Sequence, residues 1–247
     1  MTAQGDPRPL AIVCLLPETL GGNGDAANAR VLVQRARWAG MQADIIPVRT
    51  RADLPPQVDA VIVGSGTDAD LVPVRDTLLT VADDLRTWAT AGIPILAVGT
   101  GLELLSWGIE LPGGSVVEGL GLVAGRAVPR LARATGDLVV TSRYGRLVGF
   151  ENHARDFVGA EGSPLGRVAF GVGNGAGSEG VVMGNVIGTH LHGPVLAKNP
   201  GLADHLLRAI FAAHGAEYAP AGRATEVDGI AKAARNQIAV RLGLAPE

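Results

Sequence analysis

The stretch Ile93-Pro94-Ile95-Leu96-Ala97-Val98-Gly99-Thr100-Gly101-Leu102-Glu103-Leu104-Leu105 decides the fold. The apolar run Ile93–Val98 reads as a strand, broken by Gly99-Thr100-Gly101, and Leu102–Trp107 restarts as a helix. A strand passing through glycine directly into a helix is the repeating unit of a parallel sheet. The same shape is that of a nucleophile elbow, a sharp turn that holds one side chain out at the top of the sheet. The helix N-terminus and its free amides suit a developing negative charge there. The apex of such an elbow carries Cys, Ser or Asp, and here it is Gly99. A plain strand-to-helix turn is the alternative reading.

Outward from this stretch the pattern repeats. Leu10–Leu16 is an apolar run closed by Pro17, read as a first strand buried on both faces. A loop, Gly21-Gly22-Asn23-Gly24-Asp25, leads into Ala26–Ala39, which has helical spacing and ends at Gly40. Ala43–Val48 and Val58–Val63 are further strands, the latter ending in Gly64-Ser65-Gly66. Leu78–Ala91 reads as one helix closed by Gly92. The alternation predicts an α/β fold with a doubly wound parallel sheet. Gly64–Gly66 and Gly99–Gly101 then share one sheet edge, beyond the strands' carboxyl ends, where ligands bind in open α/β sheets.

The second half changes character. Gly119–Val123, Asp137–Val140, Leu147–Phe150 and Val168–Gly171 are short strand-like runs between turn signals, read as an antiparallel extension. Val181–Ile187 is another strand candidate, and Gly201–His214 and Thr225–Leu244 are helical. One domain over residues 1–218 with a helical appendage at 219–247 is the simplest organisation.

Composition bounds the function. Hydrophobic residues at 47% and charged residues at 18% allow a sizeable core and exclude disorder over most of the chain. A net charge of −3 leaves no electrostatic footprint for nucleic acid. The single cysteine, Cys14, cannot form an internal disulfide or a zinc cage, and its apolar strand makes it a packing residue. Residues 1–9 lack the apolar core of a signal peptide, and no run reaches the roughly 18 apolar residues of a membrane span, so a cytoplasmic protein is expected.

Candidate chemistry beyond the elbow is sparse. Of five histidines, His190 and His192 fall in Gly188–Pro194, directly after a strand. His153, His190 and His192 have no carboxylate at ligand spacing, so neither a metal nor another cofactor is expected. The loop at 21–25 lacks both the Walker Lys-Ser/Thr pair and the dinucleotide glycine spacing, which leaves it to position backbone for a ligand or partner.

Four blocks together carry a resemblance: Asn23-Gly24-Asp25 with Asn28; Arg133-Ala134-Thr135-Gly136-Asp137; Gly149-Phe150-Glu151-Asn152-His153; and Gly188-Thr189-His190-Leu191-His192-Gly193-Pro194 continued by Lys198-Asn199-Pro200. In order and spacing, from about residue 10 to 212, the chain resembles the GatD subunits of lipid II isoglutaminyl synthases. Those subunits belong to the CobB/CobQ-like branch of class I glutamine amidotransferases. The resemblance implies that family's sheet with an antiparallel extension. It also implies a cysteine at the elbow that attacks the side-chain amide of glutamine, with a histidine as base and then acid. The released ammonia serves a MurT-like Mur ligase partner, which activates D-glutamate in the lipid II stem peptide. By position, His192 takes the base's place. Arg133 matches the arginine that grips the glutamine α-carboxylate, and Gly64, Ser65 and Gly66 lie near the oxyanion site.

The elbow departs from the pattern. The family reads Ile-Cys-x-x-x-Gln after Ala, against Val98-Gly99-Thr100-Gly101-Leu102-Glu103 here. The nucleophile is lost and the usual glutamine is Glu103. Thr100 stands one residue past the apex, so its hydroxyl points elsewhere, and Cys14 lies in another strand. The expectation is a pseudoenzyme subunit that keeps the ligase partner. The competing expectations are an active enzyme using another route, such as a metal or a His-activated water, and an amino-acid-like ligand-binding or regulatory module without a ligase. Retention of Arg133 argues against a decayed pocket, on the premise that a buried unpaired guanidinium is costly.

Overall fold

The computed structural model describes residues 8–247. The reading of the first nine residues falls, for residues 1–7, outside the described residues. The central sheet holds β1 (Leu10–Leu15), β2 (Ala43–Val48), β3 (Ala60–Val63) and β4 (Ile95–Val98), and is completed by a hairpin of β11 (Val181–Met183) and β12 (Val186–Thr189). The order is β11-β12-β4-β3-β1-β2, parallel throughout except at β11.

Both faces are covered over β1, β3 and β4, which is why these strands read as unbroken apolar runs, whereas β2 at the sheet edge exposes Asp44 and Pro47. Along β1, Leu10, Ile12 and Cys14 pack against α1 (Ala27–Trp38) and α6 (Pro200–Ala213). Val13 and Leu15 face the opposite way, towards α2 (Leu71–Leu79) and α3 (Ala82–Thr90). The alternation is the two-residue period of a strand. Each fully buried Leu or Ile contributes about 1.5–3 kcal/mol relative to exposure. Cys14 is part of this packing, and burial pushes its thiol up to about 11.

Two helices replace the one expected at Leu78–Ala91. The chain breaks at Thr80, whose hydroxyl donates to the Thr77 carbonyl at 2.7 Å, and Val81 leaves helical geometry at φ −116°. The start at Leu71 is disguised by Pro73, which sits in the first turn, where an amide donor is not needed.

The second sheet has the order β10-β9-β7-β5-β6, with β8 paired to β7. Its strands are β5 (Gly108–Glu110), β6 (Val116–Glu118), β7 (Arg126–Ser142), β8 (Gly145–Val158), β9 (Gly166–Phe170) and β10 (Ser178–Glu179). All its pairings are antiparallel except β5 with β7. The expected pieces at 137–140 and 147–150 are parts of the long β7–β8 ribbon, whose register shifts between Pro129 and Ala134. Gly119–Val123 is not a strand. Its amides at Leu120 and Leu122 bond the Leu104 and Leu105 carbonyls, closing the end of the short helix α4 (Thr100–Leu105). Val181–Ile187 is a hairpin rather than one strand.

α5 (Val195–Lys198) precedes α6, and α7 (Ala224–Arg241) closes the chain. No helix among the described residues is long and apolar enough to cross a membrane.

Candidate functional site

The site is built where β3 and β4 end. Gly99 sits between β4 and α4 with φ 54° and ψ −118°, a conformation that only glycine adopts without strain. Its amide donates to the Thr189 carbonyl at 2.9 Å, tying the turn to the end of β12. Gly101 lets α4 close on the sheet: a Cβ there would stand 2.5 Å from the Gly64 carbonyl oxygen and 2.7 Å from that of Val63. The backbone is that of an elbow, with glycine at its apex. Thr100 turns away, its hydroxyl donating to the Gly66 carbonyl at 3.1 Å.

His192 lies against this apex. A Cβ built on Gly99 would be 3.4 Å from its Nε2. Its Nδ1 meets Asp25 Oδ2 at 2.8 Å, and the same oxygen accepts from the Ser65 hydroxyl at 2.6 Å. A carboxylate can only accept there, so Nδ1 carries a proton, and in the neutral ring the lone pair is on Nε2. His192 is 1% exposed, and its Nε2 has no hydrogen-bond partner among the described residues; Asp25 Oδ1 is likewise unpartnered. This is an imidazole oriented by a carboxylate, facing an apex that carries no side chain.

The matching blocks each have a physical task here. Asn28 donates to the Asp25 carbonyl and accepts from the Leu196 amide, joining the Asp25 loop to the segment after His192. The Gly22 amide bonds the Ser65 carbonyl at 2.9 Å. Phe150 accepts from the His192 amide at 2.9 Å and sets its ring 5.4 Å from the imidazole. Asn199 exchanges bonds with the Val148 backbone in both directions. Asn152 holds Arg133, accepting from its Nε at 2.7 Å and, through the backbone carbonyl, from Nη2 at 3.2 Å.

Beside the elbow lies a cavity of about 740 Å³. Ser65, Gly66, Gly99, Arg133 and His192 all reach its wall. Gly64 does not; its backbone packs against Leu20 and Gly101 instead. Arg133 is exposed and held by Asn152, so the premise that it is a buried unpaired cation is wrong. The buried guanidinium at this site is instead that of a residue the sequence did not single out, and it is paired. Arg155 is 6% exposed; its Nε and Nη2 meet the two Glu103 oxygens at 2.9 Å each, and Nη2 also meets Asp68 at 2.7 Å. Burial disfavours the Arg155 charge, but the Asp68 bond and the Glu103 charge outweigh it and fix the guanidinium as a cation. The Arg155 bond in turn holds Asp68 below the usual carboxylate range.

Behind the cavity lies a second polar cluster. His190 meets Glu179 at 3.1 Å and stacks on His153 with ring centroids 4.5 Å apart. Among the described residues, no group of three or more His, Cys, Asp or Glu side chains is arranged to hold a metal ion.

The chain is 29% identical over 239 residues to the lipid II isoglutaminyl synthase (glutamine-hydrolyzing) subunit GatD of Staphylococcus aureus (strain N315), covering 94% of this chain and 95% of that protein. It is 28% identical over 198 residues to the GatD subunit of Streptococcus pneumoniae (strain ATCC BAA-255 / R6), covering 78% and 75%. Among solved structures, a glutamine amidotransferase crystal structure superposes with a TM-score of 0.57 at 21% identity, over 80% of this chain and 98% of that one. The PurLQS structure from Thermotoga maritima gives 0.52 at 16%, over 90% and 98%. These likenesses share the class I fold. Residues 29–200 match the family model of the CobB/CobQ-like glutamine amidotransferase domain, and the chain belongs to that family.

Proposed function

We propose that this chain is a GatD-like amidotransferase subunit that pairs with a MurT-like Mur ligase in the cytoplasm and has lost covalent glutaminase chemistry. The observation that carries the reading is Gly99 at the elbow apex beneath an Asp25-oriented His192. The base and its carboxylate are kept, and the atom they would activate is absent. Without a nucleophile the thioester route is closed, and loss of such a residue commonly lowers kcat by several orders of magnitude.

The cavity retains features suited to an amino acid amide such as glutamine. Arg133, fixed by Asn152, offers a fork for an α-carboxylate. Glu18, paired with Arg49, and Asp70, which accepts from Thr67, also line the cavity, and their carboxylates can accept further from an α-ammonium group. His192 Nε2 waits at the deep end with a lone pair for an amide N–H. The peptidoglycan role rests on the relatives' role, with the ligase supplying the activated carboxylate. A ligand-binding or regulatory pseudoenzyme without a ligase is the second reading, favoured by the elbow alone.

The deciding experiment measures ammonia release from L-glutamine by the isolated chain and by the chain coexpressed with its organism's Mur-ligase-like protein. Release at background in the isolated chain, with co-elution of the two proteins on size exclusion at micromolar concentration, is the expected result. Robust release that His192→Ala abolishes overturns the pseudoenzyme half, and separate elution overturns the partnership. Calorimetry should show glutamine binding that Arg133→Ala weakens by about 1.5–3 kcal/mol, the range for hydrogen bonds to a charged group.

A further inference from the structure

The loss of the cysteine is not the only change built into the elbow. A Cβ on Gly99 would stand 2.7 Å from His192 Cε1 and 3.0 Å from Ser65 Cβ. The first is closer than carbon atoms approach and the second is at the tight limit of real contacts, so a side chain at position 99 requires a neighbour to give. Neither moves freely. The Ser65 Cβ is fixed by its own backbone, which the Gly22 amide holds through the Ser65 carbonyl at 2.9 Å. Its hydroxyl is held by Asp25 at 2.6 Å, and the residue is 3% exposed. His192 is clamped by the Asp25 bond at 2.8 Å on one side and by its own amide bond to Phe150 on the other. Swinging the ring would break the bond that orients it.

We infer that Ser65 is matched to Gly99. Its Cβ and the His192 imidazole together fill the room a nucleophile would need, so the pocket is committed to holding an amino acid amide without bonding to it. This rests on the glutamine-site reading of the same cavity. Ser65 has two separable parts. Its hydroxyl supports Asp25 and so positions His192; its Cβ excludes a side chain from the elbow apex. Ser65→Gly removes only the 3.0 Å contact, and the 2.7 Å approach to His192 is met by a shift of the new Cβ into the room that Ser65 vacates. Restoring a reactive thiol therefore takes two changes, Gly99→Cys and Ser65→Gly. Ser65→Ala does not serve as the second, because it keeps the obstructing Cβ.

The test compares Gly99→Cys, Ser65→Ala with Gly99→Cys, and Ser65→Gly with Gly99→Cys, each checked for folding by circular dichroism. The probes are a chloroketone analogue of glutamine and iodoacetamide, read by peptide mass mapping. In either reaction the introduced thiolate forms an S–C bond and the halide leaves; His192 accepts the thiol proton. Cys14 serves as the internal control, since it is 3% exposed with its thiol pushed up to about 11. The introduced thiol should label about tenfold faster or more in the Ser65→Gly background than with Ser65 kept or changed to alanine. Melting temperatures should be coupled in the same sense: Ser65→Gly raises that of the Gly99→Cys protein and does not raise that of the natural chain. Equal labelling in all three variants, with additive melting temperatures, overturns the inference. If iodoacetamide shows the contrast but the glutamine analogue labels none of the variants, the crowding stands and the glutamine reading of the pocket falls. Should the cysteine variants not fold, Gly99→Ala with and without Ser65→Gly carries the same cycle in melting temperature, with the same two outcomes.

Discussion

A carboxylate and a guanidinium taken out of water each carry a penalty of several kcal/mol unless they meet in good geometry. Glu103 and Arg155 do, with two bonds of 2.9 Å. In the sequence Glu103 reads only as a departure from the family's glutamine. In the folded chain it is the charge that matches Arg155, whose other partner, Asp68, is largely exposed at 61%. Glu103→Gln keeps the shape and one acceptor but leaves the buried cation with a solvent-screened carboxylate alone. The variant should lose about 2–3 kcal/mol of stability, below the usual cost of breaking a buried pair because Asp68 remains. Urea unfolding measures it, and a loss under about half a kcal/mol would mean that Asp68 suffices. The same contrast explains the error over Arg133. Retention of an arginine argues for a function only where the environment is known, and β7 places Arg133 in solvent and β8 places Arg155 inside.

At the scale of elements, the two sheets differ in how much of them the sequence discloses. The parallel strands are buried on both faces, so β1, β3 and β4 appear as apolar runs whose boundaries the structure moves by one or two residues. The β7–β8 ribbon has one wet side, and its stretch Arg130–Arg133 carries charge through a register shift, so only its apolar ends were legible. Asp25 was quoted as part of a block but not as the partner of His192, which is 167 residues away. Nothing local reports such a pairing. Glu179 and His190 are close in sequence, but their pairing depends on the β11–β12 hairpin between them, which brings β10 against the segment after β12 at full burial. The pair's pH behaviour follows from its surroundings. Burial alone would lower the His190 value, but the Glu179 charge and bond, with Glu103 and Glu151 nearby, raise it above 6.5. Burial alone would raise Glu179, but His190 and the Thr189 hydroxyl hold it below 4.5. The raised group contributes fully below 6.5 and is lost as pH rises through its folded value. The lowered group contributes above 4.5 and is lost as pH falls through its own. The pair should therefore stabilise most between pH 4.5 and 6.5. The difference in melting temperature between the natural chain and His190→Gln should be largest in that window and shrink as pH rises through the folded His190 value. A difference that does not vary with pH would show that the pair holds the elements together without titrating.

At the scale of the whole molecule, residues 219–247 pose the question of whether α7 is an appendage or part of the fold. Its own buried residues are few and small: Ala224, Ala231 and Ala239. Packing of this kind contributes little, and Ile230 and Val240 remain exposed. Its attachment is chiefly ionic and polar. Arg35 on α1, only 3% exposed, donates to Asp204 on α6 at 2.6 Å and to Asp228 on α7 at 2.6 Å. Arg235 donates to the Lys198 carbonyl at 2.7 Å, and Arg241 pairs with Asp137 on β7 at 2.6 Å. Exposed pairs such as the last contribute little, so Arg35 decides. Truncation after residue 218 removes one of its two carboxylates and uncovers the guanidinium, and Asp204 stays. Uncovering lets water replace the lost partner, so the truncated chain should fold and lose only about 1–3 kcal/mol. Asp228→Asn in the full chain is the sharper probe, because the guanidinium then stays covered and loses a charged partner. If α7 is an appendage that caps Arg35, the point variant should cost as much stability as the truncation, or more. If truncation instead leaves an insoluble chain while Asp228→Asn is nearly silent, α7 belongs to the core, and the boundary at 218 is wrong.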